Sequence, residues 1–142
     1  MGMYLRKGSR IMFTLALLML TLAGCGGSGQ VSTVEQVATT YTTDLMKGNW
    51  EAVAQGSTGE QLAILVLLAD QLANTAFTSD VRLVEAVDTK VDDITAETIV
   101  HVVRDMKVEG YGSITDDRQI LYRLYHVDGT WKVYEMRVLL DY

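Results

Sequence analysis

The chain has 142 residues, of which 49% are hydrophobic, and carries 12 Lys and Arg against 18 Asp and Glu, a formal net charge of −6. This size and apolar content exclude a disordered chain and a multidomain enzyme and leave room for one globular domain with a short appendage. The acid excess excludes a nucleic-acid binder, which needs a basic surface to displace counterions from phosphates.

The chain begins with a basic stretch, Met3 to Arg10, carrying Arg6, Lys7 and Arg10 and no acid. An apolar run of 13 residues follows, Ile11 to Ala23, broken only by Thr14 and Thr21. About 20 residues are needed to span a bilayer, so this length predicts the hydrophobic core of an export signal. The next residues, Leu22-Ala23-Gly24-Cys25, resemble the bacterial lipobox: an apolar residue, two small residues and the cysteine that receives a diacylglyceryl group. Cys25 is the only cysteine, so a disulfide within the chain has no second half. The Gly-Gly-Ser-Gly-Gln that follows is too flexible to hold metal or catalytic partners near the thiol. The reading is therefore a lipoprotein signal peptide over residues 1–24, and a lipidated Cys25 with a flexible tether over 25–30. A single domain over 31–142 follows, held at the extracytoplasmic side of a bacterial cell envelope. A tether of five residues reaches roughly 12 Å, from about 5 to 6 Å times the square root of their number. Loss of residues 1–24 would remove three basic side chains and leave nine Lys and Arg against 18 Asp and Glu, a charge of −9 over 118 residues. Such a domain does not lie flat on anionic lipid, and the anchor alone would hold it to the membrane.

Ser32 and Glu35 form a capping-box pattern that predicts a helix start. Val34, Val37, Ala38, Tyr41 and Leu45 then fall on one stripe of an amphipathic helix, closed by Lys47 and Gly48. Asn49 is placed to cap a short second helix with Trp50, Val53 and Ala54 inward, ended by Gly56. Ser57 and Glu60 repeat the capping-box pattern and predict a third helix from about Thr58 to Ala76. Its wheel puts Leu62, Leu65, Val66, Ala69, Leu72, Ala73 and Ala76 on a buried face. Ile64 and Leu67 fall outside that face, on the side of Glu60, Gln71 and Asn74, within eight consecutive apolar residues from Leu62 to Ala69. They either pack under another element or form an exposed contact patch, and the expectation is that they pack within the fold.

From Val81 the period changes to two, and β-branched and aromatic residues dominate. Four strands are predicted: Val81 to Val91, Glu97 to Val108, Arg118 to Val127 and Thr130 to Leu139. Asp128-Gly129 marks a tight hairpin between the last two. Turns at Asp92, Asp93 and Thr95 and at Glu109 to Ser113 join the others, which makes an antiparallel meander. The fold class is α+β, with N-terminal helices packed on a curved four-stranded sheet.

Tyr41 to Ser57 resembles the helix, Lys-Gly-(Asp/Asn)-aromatic, helix opening of small bacterial lipoproteins in the nuclear transport factor 2-like superfamily. Val127 to Met136 resembles their closing Asp-Gly and Trp-Lys-Val hairpin. The resemblance implies a cystatin-like cone, a curved sheet wrapped around a long helix, whose open mouth in some members holds a small apolar ligand. Many such lipoproteins contain domains of unknown function, and relatives of this fold form homodimers through the sheet.

Val100, Val102, Arg104, Met106 and Val108 share one face of the second strand, and Ile120, Tyr122, Leu124 and His126 one face of the third. Both rows are the more apolar and should face the helices, which places Arg104, Tyr122 and His126 in or at the rim of the cone. A His beside a Tyr could move a proton and an Arg could hold an anion, the set a small isomerase, dehydratase or cyclase would need. The expectation is instead that these three sit at the sheet's end and reach for water, because no catalytic carboxylate has a clear place on the inward rows. His101 lies on the opposite face and is given no role. Asp88, Asp92, Asp93 and Glu97 lack the glycine that a calcium loop needs and read as a solvated hairpin end. No serine nucleophile motif, phosphate loop or zinc spacing is present, and no cofactor is called for. The expected function is that of a non-enzymatic, membrane-anchored lipoprotein binding a small apolar ligand or an envelope protein.

Overall fold

A computed structural model describes residues 28–73 and 77–140. The expected signal peptide, Cys25, Gly26 and Gly27 lie outside them. Three helices come first: α1 (Ser28–Lys47), α2 (Trp50–Gln55) and α3 (Gly59–Ala73). Four strands follow, β1 (Phe77–Asp92), β2 (Thr95–Val108), β3 (Gly112–Val127) and β4 (Thr130–Leu139), paired antiparallel in the order β1-β2-β3-β4. The α+β meander is as the period change predicts. Asp128 and Gly129 both take positive φ, +49° and +81°, which lets the β3–β4 hairpin turn in two residues.

Helix α1 lies across the inner face of the sheet. Its stripe of Val34, Ala38 and Tyr41 is buried in one core with Val100 and Val102 of β2, Ile120, Tyr122 and Leu124 of β3, and Trp131 and Val133 of β4, with Val81, Val84 and Val91 of β1 packed against it. Each fully buried Val, Ile or Leu contributes about 1.5–3 kcal/mol to this core. Two hydroxyl networks lock the helices in place. Thr42 and Tyr122 hydrogen-bond at 2.9 Å between α1 and β3. Ser57 donates to the Val53 carbonyl at 2.6 Å, so Tyr41 donates its own proton to Ser57 at 2.8 Å, and Gln61 donates to Tyr41 at 3.3 Å.

Several local expectations are corrected. Helix α1 begins at Ser28, so Ser28 to Gln30 of the expected tether are helical and Ser32 is an exposed helical residue rather than a cap. The extension is tied by Thr33, which donates to the Gly29 carbonyl. Asn49 stands at the start of α2, but its side chain donates to Asp44 instead of capping. Gly48 closes α1 at φ +74°, as expected. Gly56 has an ordinary helical φ, −81°, and its role is close approach: a Cβ there would meet the Tyr41 ring at 3.0 Å. Ser57 does not cap α3, because its side chain points into the core while its neighbours bridge to Val133.

The same ties turn α3. With Gln61 buried and Leu62 and Leu65 half-buried, the inward arc is centred on a polar residue and not on the apolar row of the wheel. Val66 and Ala69, expected inside, are exposed, and the side chains of Leu72, Ala73 and Ala76 lie outside those described. Ile64, Leu67 and Leu68 are 42%, 81% and 38% exposed, and Val66 67%. The expectation that Ile64 and Leu67 pack within the fold is overturned, and α3 presents an apolar outward face. No described helix is long and apolar enough to cross a membrane.

Three strands begin earlier than the sequence suggests, β1 at Phe77, β2 at Thr95 and β3 at Gly112. Strand β4 pairs with β3 only from Gln119 to Val127, so residues 112–118 of β3 have β2 on one side and no β4 on the other.

Candidate functional site

The inner row of β3 continues below Ile120 to Arg118 and Asp116, and that of β2 continues from Val102 to Arg104. Arg104 and Asp116 are register partners, and their side chains meet on the inner face where α1 ends. Arg104 donates Nε–H to Asp116 Oδ2 at 2.8 Å and Nη1–H to the Met46 carbonyl at 3.3 Å. The latter suits a helix C-terminus, where carbonyls lack intrahelical donors and the dipole favours a cation. Arg118 donates to the other carboxylate oxygen of Asp116. Asp116 is buried, its side chain 6% exposed, so two guanidinium groups share one hidden carboxylate.

Beside this triad lies a recess of about 260 Å³ between the end of α1, the start of α2 and strands β2 to β4. Leu45, Met46, Trp50, Ile120, Met136 and Val138 form its apolar walls, and Arg104 and Arg118 are the charged groups that line it. An apolar hollow with a few fixed polar groups is the usual make-up of a small-ligand site, although this one lies just below the common ~300–1,000 Å³ range. A larger hollow at the β2–β3 turn, lined by Thr78, Lys107, Glu109 and Ser113 together with turn backbone, is an open groove at the strand tips.

The three residues singled out in the sequence are not brought together. Arg104 joins the recess. Tyr122 is fully buried in the core, and burial, opposed in part by its bond to Thr42, pushes its hydroxyl well above the usual tyrosine range. It keeps its proton and serves packing, its ring meeting Tyr41 edge-on at 5.5 Å. His126 is exposed at the hairpin end of β3, leaning on Trp131 at 5.0 Å. Ten residues of β3 separate His126 from Asp116, the partner of Arg104, a span of roughly 33 Å along the strand. Groups so far apart do not exchange a proton directly, and of the three only His126 is exposed, at the hairpin end of the sheet.

A third strand that starts at Arg118 leaves Asp116 outside the sheet, and Arg118, at its first position, is not among the inward residues singled out in the sequence. The parity of Ile120, Tyr122 and Leu124 extended backward carries the signal: even-numbered residues face in, and an acid at 116 falls opposite Arg104. His101, read as an outer-face residue, is one: it bridges Glu85 at 3.5 Å and Asp117 at 2.8 Å across three strands. Those bonds, led by the one to Asp117, raise its pKa despite some desolvation. Among the described residues, no three of His, Cys, Asp and Glu assemble as a metal site.

No family model and no curated protein matches the sequence. Solved structures do resemble it. The intermembrane-space region of the chloroplast protein ARC6 superposes with a TM-score of 0.63 at 15% identity, over 78% of this chain and 97% of that one. A ketosteroid isomerase-like protein from Erwinia carotovora atroseptica gives 0.55 at 12% identity, over 78% and 95%. A nuclear transport factor 2-like protein with a cystatin-like fold from Novosphingobium aromaticivorans gives 0.55 at 14% identity, over 94% and 92%. Identities this low speak to architecture and not to activity. Helices followed by a four-stranded antiparallel sheet, with these neighbours, give the chain a nuclear transport factor 2-like, cystatin-like fold.

Proposed function

We propose that this protein is a membrane-anchored, extracytoplasmic lipoprotein whose domain binds a small, largely apolar ligand without transforming it. The observation that carries the binding reading is the recess at the end of α1, walled by six apolar side chains and by two arginines that share the buried carboxylate of Asp116 behind them. An acid or base has to be free to exchange its proton in step with the reaction. Asp116 is committed to ion pairing, Tyr122 is sealed, and His126 is at the far end of the sheet. The anchoring reading is supported by the sequence alone: basic end, short apolar run, small residues and Cys25 occur in the order of a lipoprotein signal. With α1 starting at Ser28, only Gly26 and Gly27 would separate the lipidated residue from helix, so the domain would stand close to the lipid surface.

Two experiments test this. Cys25→Ser should move the protein from the membrane to the soluble fraction, and a variant that stays lipid-labelled and membrane-bound would refute anchoring through Cys25. Mass spectrometry of the solvent extract of denatured protein should reveal a bound small molecule that Trp50→Ala and Met136→Ala together remove. An extract identical for wild type and double variant would refute the recess.

A second reading, self-association, is favoured by the outward face of α3, where Ile64, Val66, Leu67 and Leu68 stand in solvent. A second copy offering the same face would cover them, and loss of association in Ile64→Ser and Leu67→Ser is the expected result.

A further inference from the structure

The charges at the recess say more about what it takes. Of the groups lining it, all are apolar except two guanidinium groups, and the carboxylate they share is nearly hidden behind them. Arg104 is 12% exposed and turned back into the protein by Asp116 and the Met46 carbonyl. Arg118 is 36% exposed and meets Asp116 through Nε and one terminal nitrogen, which leaves the outer part of its planar fork toward solvent. Two positive charges against one negative leave the recess wall with one net positive charge, in a protein whose overall balance is acidic.

We infer that the ligand is a small amphiphilic monocarboxylate, its apolar body against Trp50, Leu45, Met136 and Val138 and its carboxylate on the guanidinium of Arg118. This inference rests on the recess reading above. A guanidinium fork matches a carboxylate in plane and in hydrogen-bond spacing, and the charge-assisted bond is strengthened by the apolar surroundings. A dianionic phosphate is disfavoured, because its second charge would face Asp116 with no cation left to offset it. The small volume limits the body to a short chain or a single ring.

Trp50 lines the recess and reports occupancy through its fluorescence, with Trp50→Phe separating its signal from that of Trp131. The detergent-solubilised full chain is titrated with 4-phenylbutyrate and with 4-phenylbutanamide, which have nearly the same shape and differ in charge. The carboxylate should half-saturate at a concentration at least tenfold below the amide. Arg118→Gln should bring the two within twofold of each other, and Arg118→Lys, which keeps the charge but not the fork, should retain part of the preference. Circular dichroism establishes that each variant is folded. Equal affinities in the wild type, or a preference that survives Arg118→Gln, would overturn the carboxylate assignment while leaving an apolar recess intact. No response to either compound would overturn the recess itself, and the assignment with it.

Discussion

Replacing Asp116 by Ala tests whether the inner-face triad is a structural joint as well as a charged wall. The change leaves Arg104 on the inner face with the Met46 carbonyl but without the carboxylate that takes its Nε–H at 2.8 Å. Removing one partner of a buried ion pair costs about 3–5 kcal/mol at full burial. Two features lower that figure here. The Arg104 side chain retains 12% exposure, and Arg118, at 36%, can turn to water at a cost of no more than about 1 kcal/mol. The expected loss is about 2–3 kcal/mol, or roughly 10 °C in Tm at some 4 °C per kcal/mol for a domain of this size. Urea unfolding followed by far-ultraviolet circular dichroism measures it. Asp116→Asn keeps one acceptor and should lose about half as much, and Arg118→Gln less than about 1 kcal/mol. An Asp116→Ala midpoint within ~0.5 kcal/mol of wild type, inside the range of an ordinary surface change, would refute the argument.

Three further outcomes follow from the same geometry. Gly56→Ala would ordinarily gain about 0.4–1 kcal/mol by stiffening the unfolded chain. Here the new Cβ would meet the Tyr41 ring at 3.0 Å, and that ring is fixed by Ser57, Gln61 and Tyr122, so a loss of about 1–2 kcal/mol in urea unfolding is expected. Tyr122→Phe removes a buried hydroxyl bonded to Thr42, which retains the Ala38 carbonyl, and should cost about 1 kcal/mol with the fold unchanged by circular dichroism. His101 has its folded pKa raised, chiefly by the bond to Asp117, so its contribution is complete below the unfolded imidazole value near 6.5 and fades as pH rises through the folded one. The urea midpoint should therefore fall with rising pH across that window in the wild type and fall less in His101→Gln, with equal slopes as the refuting result.

The sequence made the layer architecture legible because its signals were periodic and local. The alternation of Val100 and Val102 and of Ile120, Tyr122 and Leu124 put the right faces inward, and Asp128-Gly129 fixed the last hairpin. What it hid depended on tertiary ties. Ser57 has the composition of a cap, yet Tyr41, sixteen residues earlier, claims its hydroxyl. Gln61 looks like a surface residue, and its bond to the same Tyr41 turns α3 so that Val66 faces out. The candidate site was half legible. Arg104 stood on an inward row, whereas Asp116 falls between the turn expected at Glu109 to Ser113 and the strand expected from Arg118, and joins β3 because β2 pairs with it as far as Gly112.

The two surfaces open to a second copy differ in what association would demand of them. The outer sheet face carries a cross-strand ladder of ions: Arg82 with Asp105, Glu85 and Asp117 about His101, and Glu97 with Arg123, Glu135 and Arg137. These charges already have partners, and a dimer through this face would strip their water without supplying new ones, a cost that Coulomb attraction seldom recovers. The outward face of α3 carries no charge from Leu62 to Ala69 and stands to gain about 25 cal/mol for each Å² it hides. One helix against its copy still falls at or below the ~1,200 Å² low end of stable interfaces, so any such dimer should be weak and concentration-dependent. Sedimentation velocity of the detergent-solubilised chain separates the two surfaces. Leu67→Ser should shift the monomer–dimer balance toward monomer by at least tenfold, with no loss of urea stability beyond ~0.5 kcal/mol because Leu67 is 81% exposed. Arg123→Ser should leave the balance unchanged, and a dimer dispersed by Arg123→Ser but indifferent to Leu67→Ser would assign association to the sheet.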